Sequence, residues 1–160
     1  MTPAENAAHF RQRVEEIKAV YPDSRSAIMG ALHLAQREHG GWLPPEALEE
    51  VAEAMELTPA YVQSVASFYD MYQLEPVGRH TVEVCTNLSC ALAGAQSVVD
   101  AFEQELGVRA GETTEDGAVT FRIVECAGGC GSAPVVVVDH RYREPVRAED
   151  VQEIVEELRG

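Results

Sequence analysis

The sequence predicts a mixed helix-and-sheet protein in two parts, an N-terminal helical bundle over residues 1–77 and an α/β domain over residues 78–160. Through the first ~75 residues, apolar side chains recur at steps of three and four, the spacing of one helix face. From Gly78 onward, alternating stretches appear between helical stripes, so strands enter the pattern. The composition fits: 160 residues, 46% of them hydrophobic and 24% charged, are enough to bury one or two small cores.

Each element follows in order. Phe10, Val14, Ile17 and Tyr21 share a face of a helix over about residues 5–20. Asp23 and Ser24 cap a second helix with Ile28, Ala31, Leu32 and Ala35 inward, which stops at Gly40-Gly41, where left-handed backbone is cheap. Pro44-Pro45 precede a third helix marked by Leu48, Val51, Ala52 and Met55. Thr58-Pro59 form a cap and first turn for a fourth, with Val62, Val65, Ala66 and Tyr69 as its stripe. The segment Pro76 to His80 joins the two parts. Val82 and Val84 then mark a strand, and Leu92, Ala95, Val99, Phe102 and Leu106 a helix. A polar loop, Gly111 to Asp116, precedes an alternating strand through Val119, Phe121 and Ile123. Val135 to Val138 reads as a strand buried on both faces, and Pro134 before it suits a cis peptide bond. A turn at Asp139 to Arg143, a short strand near Pro145 and a helix carrying Val151, Ile154, Val155 and Leu158 complete the chain. A right-handed βαβ unit followed by a hairpin and a helix is the thioredoxin-like arrangement.

Charge and motif content exclude several functions. Twelve basic against 27 acidic residues leave a net charge of −15, and Lys18 is the single lysine, so a whole-chain nucleic-acid binder is disfavoured. The helix pair around Thr58 could suggest a DNA reader, yet residues 38–78 hold eight acidic residues and no Lys or Arg. The aliphatic run ending at Val138 is far short of the ~20 residues of a membrane span, and the first residues lack the apolar stretch of a secretory signal, so a cytosolic setting is expected. Neither a Gly-rich dinucleotide fingerprint nor a phosphate-binding loop is present. Trp42, Phe68, Tyr69 and Tyr72 read as core or subunit-contact aromatics, and the five histidines as surface or packing residues.

The four cysteines carry the chemistry. In a reducing compartment they are metal ligands or redox groups before they are disulfides. Cys85 and Cys90 form a C-x4-C pair directly after the first strand, and Cys126 and Cys130 a C-x3-C pair after the second. If those strands are neighbours, the four sulfurs converge on one sheet edge. Four thiolates suit zinc or an iron–sulfur cluster. Both spacings are wider than the usual zinc knuckle and favour a larger object, a [2Fe-2S] rhomb, with structural zinc, thiol redox chemistry and inert buried cysteines as alternatives. No C-x-x-C supports thiol exchange, and no histidine lies between the paired cysteines as a Rieske centre would ask. The charge of such a cluster needs hydrogen-bond donors. Gly128, Gly129 and Gly131 would let amides approach it, and a helix starting near Ala91 would aim its positive end at Cys90.

The segments Val84-Cys85-Thr86-Asn87-Leu88-Ser89-Cys90-Ala91-Leu92 and Glu125-Cys126-Ala127-Gly128-Gly129-Cys130-Gly131-Ser132-Ala133-Pro134 resemble the family of small iron–sulfur subunits of bacterial NADH:quinone oxidoreductase (complex I), among the thioredoxin-like [2Fe-2S] ferredoxins. The likeness extends to Phe68-Tyr69 and Glu75-Pro76-Val77-Gly78. It implies that Cys85, Cys90, Cys126 and Cys130 ligate one [2Fe-2S] cluster and that no residue of this chain is catalytic alone. It implies docking on a flavoprotein that holds FMN and oxidises NADH, with the cluster taking single electrons on a side branch. It also implies a cytoplasmic location, peripheral to the inner membrane through the complex and without membrane insertion. Ala127-Gly128-Gly129 departs from the Leu-Gly-Ala insert of many relatives, leaving the ligands intact. The same module serves NAD-reducing hydrogenases, NAD-dependent formate dehydrogenases and bifurcating enzymes. A structural zinc protein is the competing reading of another class. The acidic surface leads to an expectation of salt-sensitive docking.

Overall fold

The N-terminal stripes fold as four helices, α1 (Pro3–Lys18), α2 (Ile28–Glu38), α3 (Pro45–Met55) and α4 (Pro59–Phe68). The structure, a computed structural model, describes residues 3–159, with the side chains of residues 3 and 4 left aside. The two compact units of the protein meet in sequence at Pro76 and Val77. Local chemistry sets the helix ends. Asp23 accepts from the Arg25 amide and caps a short 3-10 turn, Ser24–Ala27, that runs into α2. Beyond α2 the backbone reverses at Gly40 and Gly41, with φ of 74° and 94°, values that a side chain would oppose. Thr58 caps α4 through the Tyr61 amide.

Phe10, Val14, Leu32, Leu34, Leu43, Val51 and Val62 are fully buried in this first unit. Each large side chain is worth about 1.5–3 kcal/mol on burial. One polar side chain joins them. The Gln36 amide donates to the Met71 carbonyl at 3.1 Å and its oxygen accepts from the Gln73 amide at 2.8 Å, clasping the segment after α4 to α2. Tyr72 packs in the same core and donates to the Met29 carbonyl. Burial, with the nearby Tyr69 adding to it, pushes the Tyr72 phenol up to about 12. Two expected stripe members fall outside: α1 ends at Lys18 and α4 at Phe68, so Tyr21 and Tyr69 sit beyond the last helical turn and are exposed.

The second unit holds a sheet of β1 (His80–Cys85), β2 (Val119–Val124), β3 (Val136–Val138) and β4 (Arg141–Arg143), in the order β2-β1-β3-β4. β1 and β2 are parallel from His80 opposite Val119 to Cys85 opposite Val124. β3 runs antiparallel to β1, and β4 antiparallel to β3. Helices α5 (Leu88–Leu92) and α6 (Ala95–Leu106) connect the parallel pair, and α7 (Val151–Arg159) packs beside α6. Val82, Phe102, Phe121 and Val151 are fully buried in this core, and Phe102 stacks on Phe121 with ring centroids 5.6 Å apart. This is the expected helical region followed by a thioredoxin-like sheet.

Three local expectations change. The helix placed across Leu92 to Leu106 is two helices, because Gly94 adopts φ of 97° and breaks the register. Leu92 therefore leaves the buried stripe. β2 does not alternate throughout: Val119, Thr120 and Phe121 are all buried, where Gly111 to Thr114 return along the strand, whereas Ile123 is exposed. The turn after β3 is tighter than expected, with Asp139 and His140 both at positive φ, so the last strand begins at Arg141 rather than near Pro145. The Ala133-Pro134 bond is cis, as its position suggests, and Glu144-Pro145 is cis as well. No described helix is long and apolar enough to cross a membrane.

Candidate metal centre

Cys85 is the last residue of β1, and its parallel partner, Val124, is the last of β2. Cys126 follows two residues later. Both cysteine pairs thus leave the same end of two hydrogen-bonded strands, and the pairing of those strands, not proximity in sequence, brings them into one region. Cys90 lies on α5, which Asn87 opens by accepting from the Leu88 amide at 2.8 Å. Cys130 opens a single 3-10 turn, Cys130–Ser132. All four thiols are free.

The two pairs differ in setting. Cys85 and Cys90 are 3% and 2% exposed and form a small core with Ala95 and Val135, flanked by Val124, Ala127 and Ala133. Cys126 and Cys130 are exposed. Burial is the largest influence on Cys85 and pushes its thiol up, but the amides of Ala127 and Asn87 and a bond from Cys90 outweigh it, so the net direction is down. At Cys90 burial again leads and pushes the thiol up, reinforced by the negative charge of Cys85 and Cys130 and only partly countered by the Val135 amide. The Cys85 Sγ also approaches the Glu125 carbonyl at 3.9 Å. Cys90 therefore senses the charge of both Cys85 and Cys130, while Cys126 stands at the exposed start of the loop.

This donor set fits an anionic metal–sulfur group. The Cys85 and Cys90 thiols face backbone N–H groups among apolar side chains, which is how proteins stabilise negative sulfur. Among the described residues, no three His, Cys, Asp or Glu side chains come together closely enough to hold a metal ion. A two-iron cluster asks for two thiolates at each iron. The loop between β2 and the 3-10 turn is shaped for close approach. Gly128 takes φ of 83°, and a Cβ on Gly129 would meet Val135 Cγ2 at 2.9 Å and the Glu144 carboxylate at 2.6 Å.

Several expected roles move. The amides that reach Cys85 and Cys90 belong to Ala127, Asn87 and Val135. The helix beginning near Ala91 is replaced by α5, which contains Cys90, and α6, which starts at Ala95. Asn87 had a readable signal, a capping residue before a helical stretch. Tyr142 had none: it reaches the cysteine loop from β4, donating its hydroxyl to the Ala127 carbonyl. The other candidates lie outside this arrangement. His39 pairs with Glu50 and His80 with Asp139, and of the singled-out aromatics Tyr72 alone is buried.

The family model for thioredoxin-like [2Fe-2S] ferredoxins matches residues 14–159. A subunit of the NADH-quinone oxidoreductase of Rhizobium meliloti is 43% identical over 151 residues, covering 94% of this chain and 89% of that protein. The corresponding NADH-quinone oxidoreductase subunit of Mycobacterium tuberculosis is 41% identical over 158 residues, 99% of this chain and 62% of its own length. Among solved structures, an NAD+-reducing [NiFe]-hydrogenase in the air-oxidized state has the same fold, with a TM-score of 0.73 over 82% of this chain and 22% of that one at 23% identity.

Proposed function

Because this chain belongs to the thioredoxin-like [2Fe-2S] ferredoxin family, we propose that Cys85, Cys90, Cys126 and Cys130 hold its single cluster and that it serves as the small electron-transfer subunit of an NADH-quinone oxidoreductase. The observation that carries this reading is the exit of both cysteine pairs from the same end of the parallel β1–β2 pair, with three backbone amides turned toward the sulfurs. When bound, the cluster supplies reversible one-electron exchange. The protein's own residues hold it. Cys85 and Cys90 anchor one side in the core, Cys126 and Cys130 close the other from the loop, and the amides of Ala127, Asn87 and Val135 offset negative charge on sulfur.

The electron donor is the FMN of an NADH-oxidising flavoprotein subunit, which docks over the cysteine loops. Two features support this. Residues 84–99 and 126–138 contain no charged side chain, in a protein whose residues are 24% charged. Leu88 and Leu92, on either side of Cys90 on α5, are 71% and 82% exposed. Exposed leucines in segments free of charge have the composition of an interface centre, and placing them at the thiolates keeps the electron path short. The test is anaerobic reduction. The cluster-loaded chain should stay oxidised with NADH alone and become reduced once the FMN-bearing subunit of an NADH-quinone oxidoreductase is added. A chain that neither binds that subunit nor accepts electrons through it would refute the assignment.

A further inference from the structure

We propose that Tyr142 is a positioning residue for the cysteine loop, its hydroxyl gripping the Ala127 carbonyl so that the Ala127 amide stays aimed at the Cys85 sulfur. This deepens the proposed function and rests on the cysteines being the cluster's ligands.

The geometry starts at β4. Tyr142 is opposite Val137 in the β3–β4 ladder, between Arg141 opposite Val138 and Arg143 opposite Val136. Arg143 is tied in turn to Glu157 of α7 at 2.7 Å. The strand that carries Tyr142 is thus fixed by its ladder to β3, and the Arg143 pair is an exposed surface contact beside it. From there the phenol crosses to the loop and donates to the Ala127 carbonyl. An ideal Cβ on Gly128 would lie 4.0 Å from the same hydroxyl, so the ring end passes over the left-handed turn of the loop.

Ala127 is the centre of this arrangement. Its amide bonds to Cys85 Sγ, while its carbonyl accepts from Tyr142. The two peptide groups share one Cα, and only φ and ψ of Ala127 relate them. Holding the carbonyl therefore limits the swing of the N–H. Without the hydroxyl, the exposed loop is held beside Gly128 by one contact fewer, and the N–H···S bond loses its aim. Hydrogen bonds to cluster sulfurs stabilise the more negative, reduced state and so raise the potential. The orientation of first ligands by outer partners is the general case, and losing such a partner typically costs 10- to 100-fold in metal affinity or activity.

The test compares the wild-type chain with Tyr142→Phe and Arg143→Gln, each loaded with the [2Fe-2S] cluster. Tyr142→Phe keeps the ring and removes only the donor; Arg143→Gln removes the exposed ion pair on the same strand and keeps the ladder and the hydroxyl. Three readouts are taken: midpoint potential, the reduced-state EPR spectrum, and the rate of iron loss to a chelator. The expected result is a lower potential, altered g values and roughly tenfold faster iron loss in Tyr142→Phe, with Arg143→Gln matching wild type. Tyr142→Phe indistinguishable from wild type would overturn the proposal, as would Arg143→Gln reproducing its changes, since the effect would then belong to the strand. A wild-type chain that takes up no iron and sulfide would instead overturn the functional reading, and this inference with it.

Discussion

The two cysteine pairs leave the same sheet edge but are built differently. The first is part of a core: Cys85 ends a strand, Cys90 sits on a capped helix, and both pack against Ala95 and Val135. The second rides on an exposed loop shaped by glycine and held by Tyr142 from an edge strand. One side is rigid because apolar packing makes it so, the other through a few polar contacts. The site thus joins an apolar wall to an exposed loop held by polar contacts.

The largest test of that contrast is ligand exchange. Replacing Cys85 or Cys90 with Ser should remove iron altogether, because a buried hydroxyl resists becoming the anion that iron requires. Cys126→Ser and Cys130→Ser should lose the native spectrum yet keep measurable iron, since water can stabilise the oxygen ligand there. Iron content and EPR of the four variants decide the matter; equal retention across both pairs would dissolve the contrast.

Both pairs hang from β1 and β2, so damage beneath them should act on both. Phe121→Ala leaves Phe102 without its stacking partner and opens a cavity, with a predicted loss of about 3–5 kcal/mol in denaturant unfolding. A loss below about 1 kcal/mol would mean that the strand is not the foundation of the site. Within the loop, a methyl group distinguishes two glycines. Gly129→Ala drives a Cβ into Val135 and the Glu144 carboxylate and should cost about 1–3 kcal/mol, whereas Gly131→Ala meets nothing within 4 Å and should be nearly silent. Comparable melting of the two variants would contradict the close packing assigned to Gly129.

The smallest effect on the protein's own stability belongs to Leu88→Asp. Leu88 is exposed, so stability should stay within about 0.5 kcal/mol of wild type. Affinity for the flavoprotein subunit should nevertheless fall at least about tenfold, measured by titration, because a charge would be buried in the proposed interface centre. Unchanged affinity would move the docking surface elsewhere.

Much of this was legible in the sequence because periodicity reports faces. Val82, Val84, Phe102, Phe121 and the N-terminal stripes read directly as core. The cysteine spacings, combined with the order of elements, placed the pairs after neighbouring strands. What periodicity does not report is a break in register: Leu92 continues the apolar spacing of α6, and only Gly94 at φ of 97° separates them. An isolated glycine inside a helical pattern was the available warning. Ile123 shows the same limit, since its place in the alternation is regular but its side chain is exposed. The roles of Tyr142 and of the Val135 amide arise from strand pairing and from a loop crossing, contacts that leave no local mark in composition or spacing.

Four cysteines on this sheet edge holding one [2Fe-2S] cluster should be visible in the composition of the purified protein. The most direct test is joint measurement of iron, acid-labile sulfide and zinc after anaerobic purification, with EPR before and after dithionite. The expected result is about two irons and two sulfides per chain, with an S = 1/2 signal only after reduction. One zinc per chain, with no colour and no reducible signal, would contradict it.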